Sequence, residues 1–210
     1  MRRFIAILLV LMAFMGAASA ASSDVAGVYN KNLVGAVITI PAAETSDTDQ
    51  IVNDASLNST TNLLIRSTGV GSSNFIDDPD VPRCLIVTPS GAVTTEIKFT
   101  GLDISGAVIT ENLTFTASAD AQTTAKAFKN VTRIDATTTS ATPRTVDIGT
   151  SDKLALNKKF AVNQVVYCSV NGAREATAPA VTVSSTVLAQ NTIDTATVPG
   201  GHVTKVWVLY

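Results

Sequence analysis

Residues 94–134 read TTEIKFTGLDISGAVITENLTFTASADAQTTAKAFKNVTRI, and the fold class turns on them. Ile97 and Phe99 alternate with Glu96, Lys98 and Thr100, and farther on Leu113 and Phe115 alternate with Asn112, Thr114 and Thr116. Alternation at period two marks a strand with one buried face. Gly101 to Gly106, GLDISG, lies between the two runs and is rich in turn formers, so the pair reads as a β-hairpin. A third strand is expected around Ala127 to Ile134. Nothing in the stretch pairs a nucleophile with a base, cradles a phosphate or clusters metal ligands.

The same pattern continues outward. Strands are expected at Cys84–Thr88, Thr94–Thr100, Val108–Thr116, Ala127–Ile134, Thr145–Ile148, Gln164–Val170, Val181–Leu188 and Val203–Leu209. Turn signals separate most of them: Pro89-Ser90-Gly91, Ser105-Gly106, Gly149-Thr150-Ser151, Asn171-Gly172 and Pro199-Gly200-Gly201. Short strands at regular spacing predict an all-β fold, a sandwich or barrel of antiparallel strands with little helix.

On the N-terminal side, Ser67 to Pro82 reads as a long loop, with Leu63-Leu64-Ile65 a short strand before it. Asp77, Asp78 and Asp80 in that loop are oxygen donors of the kind Ca²⁺ takes, although they lack EF-hand spacing and read better as a solvated acidic turn. Ala42 to Thr61 is polar and is expected to be loop. Val34, Ala36, Ile38 and Ile40 alternate with Gly35, Val37 and Thr39, and Pro41 closes the run. This strand either belongs to its own sheet or is donated to a neighbouring subunit.

Arg2 and Arg3 precede an apolar run from Phe4 to Met15, and Ala18-Ser19-Ala20 fits a cleavage site. The order is that of a secretory signal peptide, which implies export and a mature chain beginning at Ala21. The alternative is a retained N-terminal anchor, but the run is shorter than the ~20 residues that span a bilayer. The expected organisation is 1–20 signal peptide, 21–82 N-terminal strand and polar loop segment, and 83–210 β-sandwich core. Membrane contact is expected only through the leader before its removal.

The formal net charge is −2, and loss of Arg2 and Arg3 makes the chain more acidic still. With no basic run, nucleic acid is not the expected partner. Only 15% of residues are charged, and scarce long charged side chains leave a Thr-rich surface that loses little entropy when ordered against neighbours. Cys84 and Cys168 are the only cysteines. In an oxidising compartment they permit one disulfide, worth about 3–4 kcal/mol, or they remain two buried thiols; sequence leaves both open. Asn58, Asn112 and Asn130 head N-x-S/T sequons, which are also expected by chance in so Thr-rich a chain.

Catalytic chemistry finds few candidates. His202, the single histidine, follows Gly200-Gly201 and reads as a turn residue. A Cys-His nucleophile would need Cys84 or Cys168 beside it. Zinc would need more His and Cys ligands. Asp77 and Asp80 lack the aromatic platforms that accompany a glycosidase carboxylate pair. The chain is read as non-enzymatic, with no cofactor.

Residues 82–156 carry a resemblance. Val81-Pro82-Arg83 leads a strand, followed by Phe99-Thr100-Gly101-Leu102-Asp103 with Gly106, Ile109-Thr110-Glu111, Lys126-Ala127-Phe128-Lys129-Asn130-Val131, Ile134, and Val146 to Leu156. In order and spacing these resemble a β-rich structural domain of tailed-phage virion proteins. The resemblance implies a non-catalytic part of a head, tail or fibre and carries over no catalytic residue. Such proteins assemble in the cytoplasm, whereas this chain begins with an export signal.

The expected function is therefore an exported structural subunit that assembles with copies of itself or related subunits, through β-strand edges and sheet faces, into an extracellular filament or surface structure. Val34, Ile38 and Ile40 of the first strand and Trp207, Leu209 and Tyr210 of the last are the candidate contact residues. A virion protein of the head-decoration or tail type is the alternative, and a monomeric glycan-binding surface module is a further one.

Overall fold

A computed structural model describes residues 35–57, 63–65, 77–138 and 144–209. The leader, Val34, Asn58 and Tyr210 lie outside the described residues. The chain divides into two compact units, residues 1–36 with 209–210, and residues 37–208. Of the first, only Gly35, Ala36 and Leu209 are described, and apart from these three residues the sheets belong to the second.

The fold is all-β. Its strands are β1 (Gly35–Ala43), β2 (Asp47–Leu57), β3 (Leu63–Ile65), β4 (Arg83–Pro89), β5 (Val93–Leu102), β6 (Val108–Ser118), β7 (Gln122–Phe128), β8 (Asn130–Thr138), β9 (Arg144–Ala155), β10 (Val165–Val170), β11 (Ala173–Arg174), β12 (Ala180–Thr182), β13 (Thr192–Asp194) and β14 (His202–Leu209). One 3₁₀ turn, Leu188–Gln190, interrupts them. They form three sheets, ordered β1-β14-β10-β11, β12-β13-β9-β4-β7 with β2 also on β9, and β3-β8-β5-β6.

The hairpin at the centre of the sequence forms as expected. β5 and β6 pair antiparallel from Thr95↔Phe115 to Leu102↔Val108. Asp103 closes the loop: its Oδ1 accepts hydrogen bonds from the backbone of Ser105 (2.9 Å) and Ala107 (2.9 Å) and from the Ser105 hydroxyl (2.6 Å). Gly106 at φ +84° takes the left-handed position that a side chain would resist.

The core lies between the second and third sheets, giving a sandwich-like arrangement. Leu85, Val87, Phe128, Val146 and Ile148 come from one sheet, and Ile97, Phe99, Leu113, Phe115, Val131 and Ile134 from the other, all in one buried cluster. Phe99 and Phe128 meet across it with centroids 6.1 Å apart. Each buried aromatic or aliphatic side chain of this kind stabilises the fold by roughly 1.5–3 kcal/mol.

Five expectations are corrected. The polar segment from Ala42 to Thr61 contains an eleven-residue strand, β2, which puts Ile51, Val52, Ala55 and Leu57 into the core. Register shifts between Asp47 and Val52 and between Val52 and Ala55 break its alternation, and Asp54 sits at φ +50°. The period-two signal is lost to those irregularities. The single strand expected at Ala127–Ile134 is two, β7 and β8, in different sheets, with the crossing at Lys129, whose N–H donates to Leu102 O at 2.8 Å.

Thr145–Ile148 is only the first part of β9, which runs on through the supposed turn Gly149-Thr150-Ser151. Gly149 is there because the β2 backbone passes against it: a Cβ would lie 1.8 Å from Asp47 O and 2.4 Å from the Thr48 carbonyl carbon. Val181–Leu188 proves to be the short strand β12 followed by irregular chain. Pro41 does not end β1, which continues to Ala43. β1 is an outer strand, where proline costs no ladder bond.

Polar side chains organise the irregular parts. Asn191 is fully buried. Its Oδ1 accepts from Phe160 N and Ser184 N, both at 3.0 Å, and its Nδ2 donates to the carbonyls of Ser184 and Val187 at 2.9 Å. One side-chain amide thus ties Phe160 to the irregular chain from Ser184 to Val187. Where β6 passes β7, Glu111 Oε1 and Oε2 accept hydrogen bonds from Ala125 N (2.6 Å) and Lys126 N (2.8 Å). The carboxylate takes the place a neighbouring strand would fill at the outer edge of β7.

Candidate functional site

The acidic loop serves the fold. Asp80 Oδ1 pairs with the Arg83 guanidinium at 2.9 Å, and its Oδ2 accepts from Glu44 N at 2.6 Å. Asp78 accepts from Asn130 Nδ2 at 2.5 Å and from Val131 N at 2.9 Å, which anchors the start of β8. Asp77 Oδ1 accepts from Asp78 N at 2.7 Å. The oxygens expected as calcium donors are thus pointed at protein groups, and no group of three or more His, Cys, Asp or Glu arranged for a metal occurs among the described residues.

Arg83 is completely buried at the start of β4. Its Nε donates to Ser151 O at 2.8 Å and its Nη atoms reach Glu44 O at 3.2 Å. Asp152 Oδ1 stands 3.7 Å away as a second carboxylate. Five donors on one planar group explain why arginine suits a buried junction of three segments.

Both cysteines are buried and free, so the disulfide that sequence left open is not formed. Cys84 lies on β4 with Ala127 and Ala155 around it, while Cys168 lies on β10, in a different sheet. Burial pushes the Cys84 thiol up to about 12 and the Cys168 thiol up to about 11. That is the opposite of an activated thiolate. Cys168 faces inward opposite Val206, whereas His202 is exposed at the start of β14. The structure does not bring a thiol and the imidazole together.

Sequence reasoning missed a small polar cleft of about 220 Å³ beside β9, lined by Ser46, Thr48, Thr123, Thr150, Asp152 and Asp194 among others. Burial holds the Asp194 carboxyl above its usual range, with Lys153 opposing. The cleft could not be found from spacing, because the gathered residues come from β2, β7, β9 and β13.

The most distinctive surface is the outer face of the β1-β14-β10-β11 sheet. Ile38 (7% exposed) and Ile40 (4%) point into the protein, and β1 pairs with β14 of the same chain. Within one chain they are covered, and the outward side chains of this strand are Val37, Thr39 and Pro41. On β14 the inward set is Thr204, Val206 and Val208, which leaves Val203, Lys205 and Trp207 outward. Val37 is 48% exposed and Val203 41%. Leu209, at the end of β14, is 39% exposed.

Tyr167 and Trp207 stand directly opposite each other on β10 and β14. Their rings stack with centroids 4.3 Å apart and planes 16° from parallel. Arg174 on β11 places its guanidinium 4.8 Å from the Tyr167 centroid. The result is a column, cation on tyrosine on tryptophan, built across three adjacent strands. Such cross-strand aromatic and cation–π pairs each add roughly 0.5–1 kcal/mol at an exposed site.

Of the sequons, Asn112 is exposed on β6, and the Asn130 amide is committed to Asp78. Comparison with known protein families, with curated proteins and with solved structures finds no match.

Proposed function

We propose that this protein is a non-enzymatic structural subunit, exported and assembling with copies of itself into an extracellular filament or surface structure. The observation that carries the reading is the uncovered apolar face of the β1-β14-β10-β11 sheet. Val37, Val203, Tyr167 and Trp207 occupy its solvent side, where a free-standing antiparallel sheet presents polar side chains. Apolar residues grouped on one sheet face mark a contact surface. β1 adds an outer strand of nine residues beside that face, and outer strands offer unpaired N–H and C=O groups to a neighbour.

A virion structural protein is the second reading, favoured by one observation. The segment that resembles phage structural domains coincides with β4 through β9, the strands that supply most of the two-sheet core.

Sedimentation and electron microscopy of the protein from its native source test the first reading, together with its N-terminal peptide. Assemblies larger than a monomer whose subunits begin at Ala21 are expected. Val37→Asp and Val203→Asp, both on exposed side chains, should leave the fold intact and reduce assembly. A monomer at every concentration would remove the proposal. Assembled particles that retain Met1 or Arg2 would transfer the support to the virion reading.

A further inference from the structure

What covers the exposed sheet face is constrained by charge. Arg174 and Lys205 both stand on it, exposed, and among the described residues neither has a carboxylate within ion-pair distance. They flank the Tyr167–Trp207 stack, so the face is apolar in its middle and cationic around it.

The same chain carries the complementary surface. Asp47 and Asp49 on β2 and Asp147 on β9 form an acidic edge. Asp49 N donates to Asp47 Oδ1 at 3.1 Å, and Asp54 N donates to Asp147 Oδ1 at 2.8 Å. No lysine or arginine among the described residues pairs with these three carboxylates. The Asp49 carboxyl is held above its usual range by its hydrogen bond with Asp47 and by the charges of Asp47 and Asp147. Like charges gathered without a counter-charge repel one another, and a neighbouring cation relieves that repulsion.

We propose that the Arg174–Tyr167–Trp207 face, with Lys205, docks on the Asp47–Asp49–Asp147 edge of a second copy of this chain. The contact rests on the reading of the protein as a self-assembling subunit and specifies its geometry. The two surfaces are different patches, so the interface is head-to-tail. A head-to-tail contact leaves one patch open at each end and propagates into a ring or a filament, whereas a self-complementary contact stops at a dimer. The ionic rim steers and registers the encounter, and the aromatic column supplies the area that leaves water.

Charge exchange tests this. Arg174→Glu with Lys205→Glu reverses the face, and Asp47→Lys with Asp49→Lys reverses the edge. Sedimentation of the purified protein across a concentration series should show each reversed variant associating at least about tenfold more weakly than the wild type. An equimolar mixture of the two should regain assembly with the variants alternating, because each face then meets an edge of opposite charge. A chain carrying all four changes should regain assembly. Trp207 is the single tryptophan, so its emission should shift to the blue on assembly of the wild type and stay unchanged in the reversed variants. If a double variant fails to fold, Lys205→Glu and Asp49→Lys alone provide the same comparison. Reversed variants that assemble like the wild type, or a mixture that stays as unassembled as either variant alone, would overturn the contact while leaving the subunit reading standing. A wild type that stays monomeric throughout overturns both.

Discussion

Gly149 shows how one missing atom holds two strands together. Its Cβ position is occupied by the backbone of Asp47 and Thr48, and neither is a flexible side-chain end that could move aside. Gly149→Ala must push β2 off β9 along part of their shared ladder, and a loss of about 2–4 kcal/mol is expected in chemical denaturation. Asn191 makes the complementary case with a side chain. Asn191→Ala strips partners from two backbone N–H groups and from buried carbonyls at once, each costing about 1–3 kcal/mol. A loss of at least about 3 kcal/mol, with the strands of the two-sheet core still formed, is the expected result of denaturation followed by circular dichroism.

The thiols give a prediction with a definite sign. In the fold the Cys84 thiol is raised from 9.0 to about 12, so above pH 9 the unfolded chain releases a proton that the folded chain keeps. Raising the pH from 9 towards 12 therefore favours unfolding, by about 1.4 kcal/mol for each unit from this group. The contribution is fully present below pH 9. Stability measured between pH 8 and 11 should fall more steeply in the wild type than in Cys84→Ala. Equal slopes would show that the thiol does not couple to folding. The constant offset from lost packing does not enter the slope.

At the scale of elements, legibility followed the regularity of the backbone. β5 and β6 were readable because their pairs run without a break from Thr95 to Leu102, with a single shift at one end, so each inward residue is followed by an outward one. Two register shifts hide β2 from local spacing, and a glycine inside β9 has the look of a turn and masks the second half of that strand. The join of β7 and β8 was invisible for another reason. Ala127, Phe128, Val131 and Ile134 are all buried, and buried residues recurring on both sides of Lys129-Asn130 do not announce that the two halves serve different sheets. Of the candidate surface, Trp207 was legible as a terminal aromatic, but Tyr167 and Arg174 became part of it only through pairing of β10 with β14 and β11. Register between strands distant in sequence is not written in local spacing.

Glu111 belongs to this scale as well. Its carboxylate receives two backbone N–H groups at the outer edge of β7. Glu111→Ala should cost about 1 kcal/mol, since water can replace part of what is lost at a half-exposed edge. It should also speed amide exchange at Ala125 and Lys126 specifically. Unchanged exchange at those two amides would mean that the edge is not held by the side chain.

For the whole molecule, the three sheets divide the work. Two enclose the core, and the third turns an apolar and cationic face to solvent. Sheet-face contacts that include an ionic rim weaken as salt rises, because screening shortens to ~3 Å at 1 M. Assembly should accordingly decline with added sodium chloride, while the midpoint of unfolding of the monomer changes little. An assembly that strengthens steadily with salt would instead indicate purely apolar burial.

The order of the strands also governs when the chain can fold. β2 finds its partner near Ile148, about a hundred residues on, and β1 lies beside β14, which begins at His202. A chain emerging N-terminus first must carry β1 and β2 unpaired through most of its synthesis, and loops of that length close slowly. Under the proposed export that delay would be useful: a polypeptide left extended until its last strands are made remains passable through a membrane, and its sheets would close on the far side.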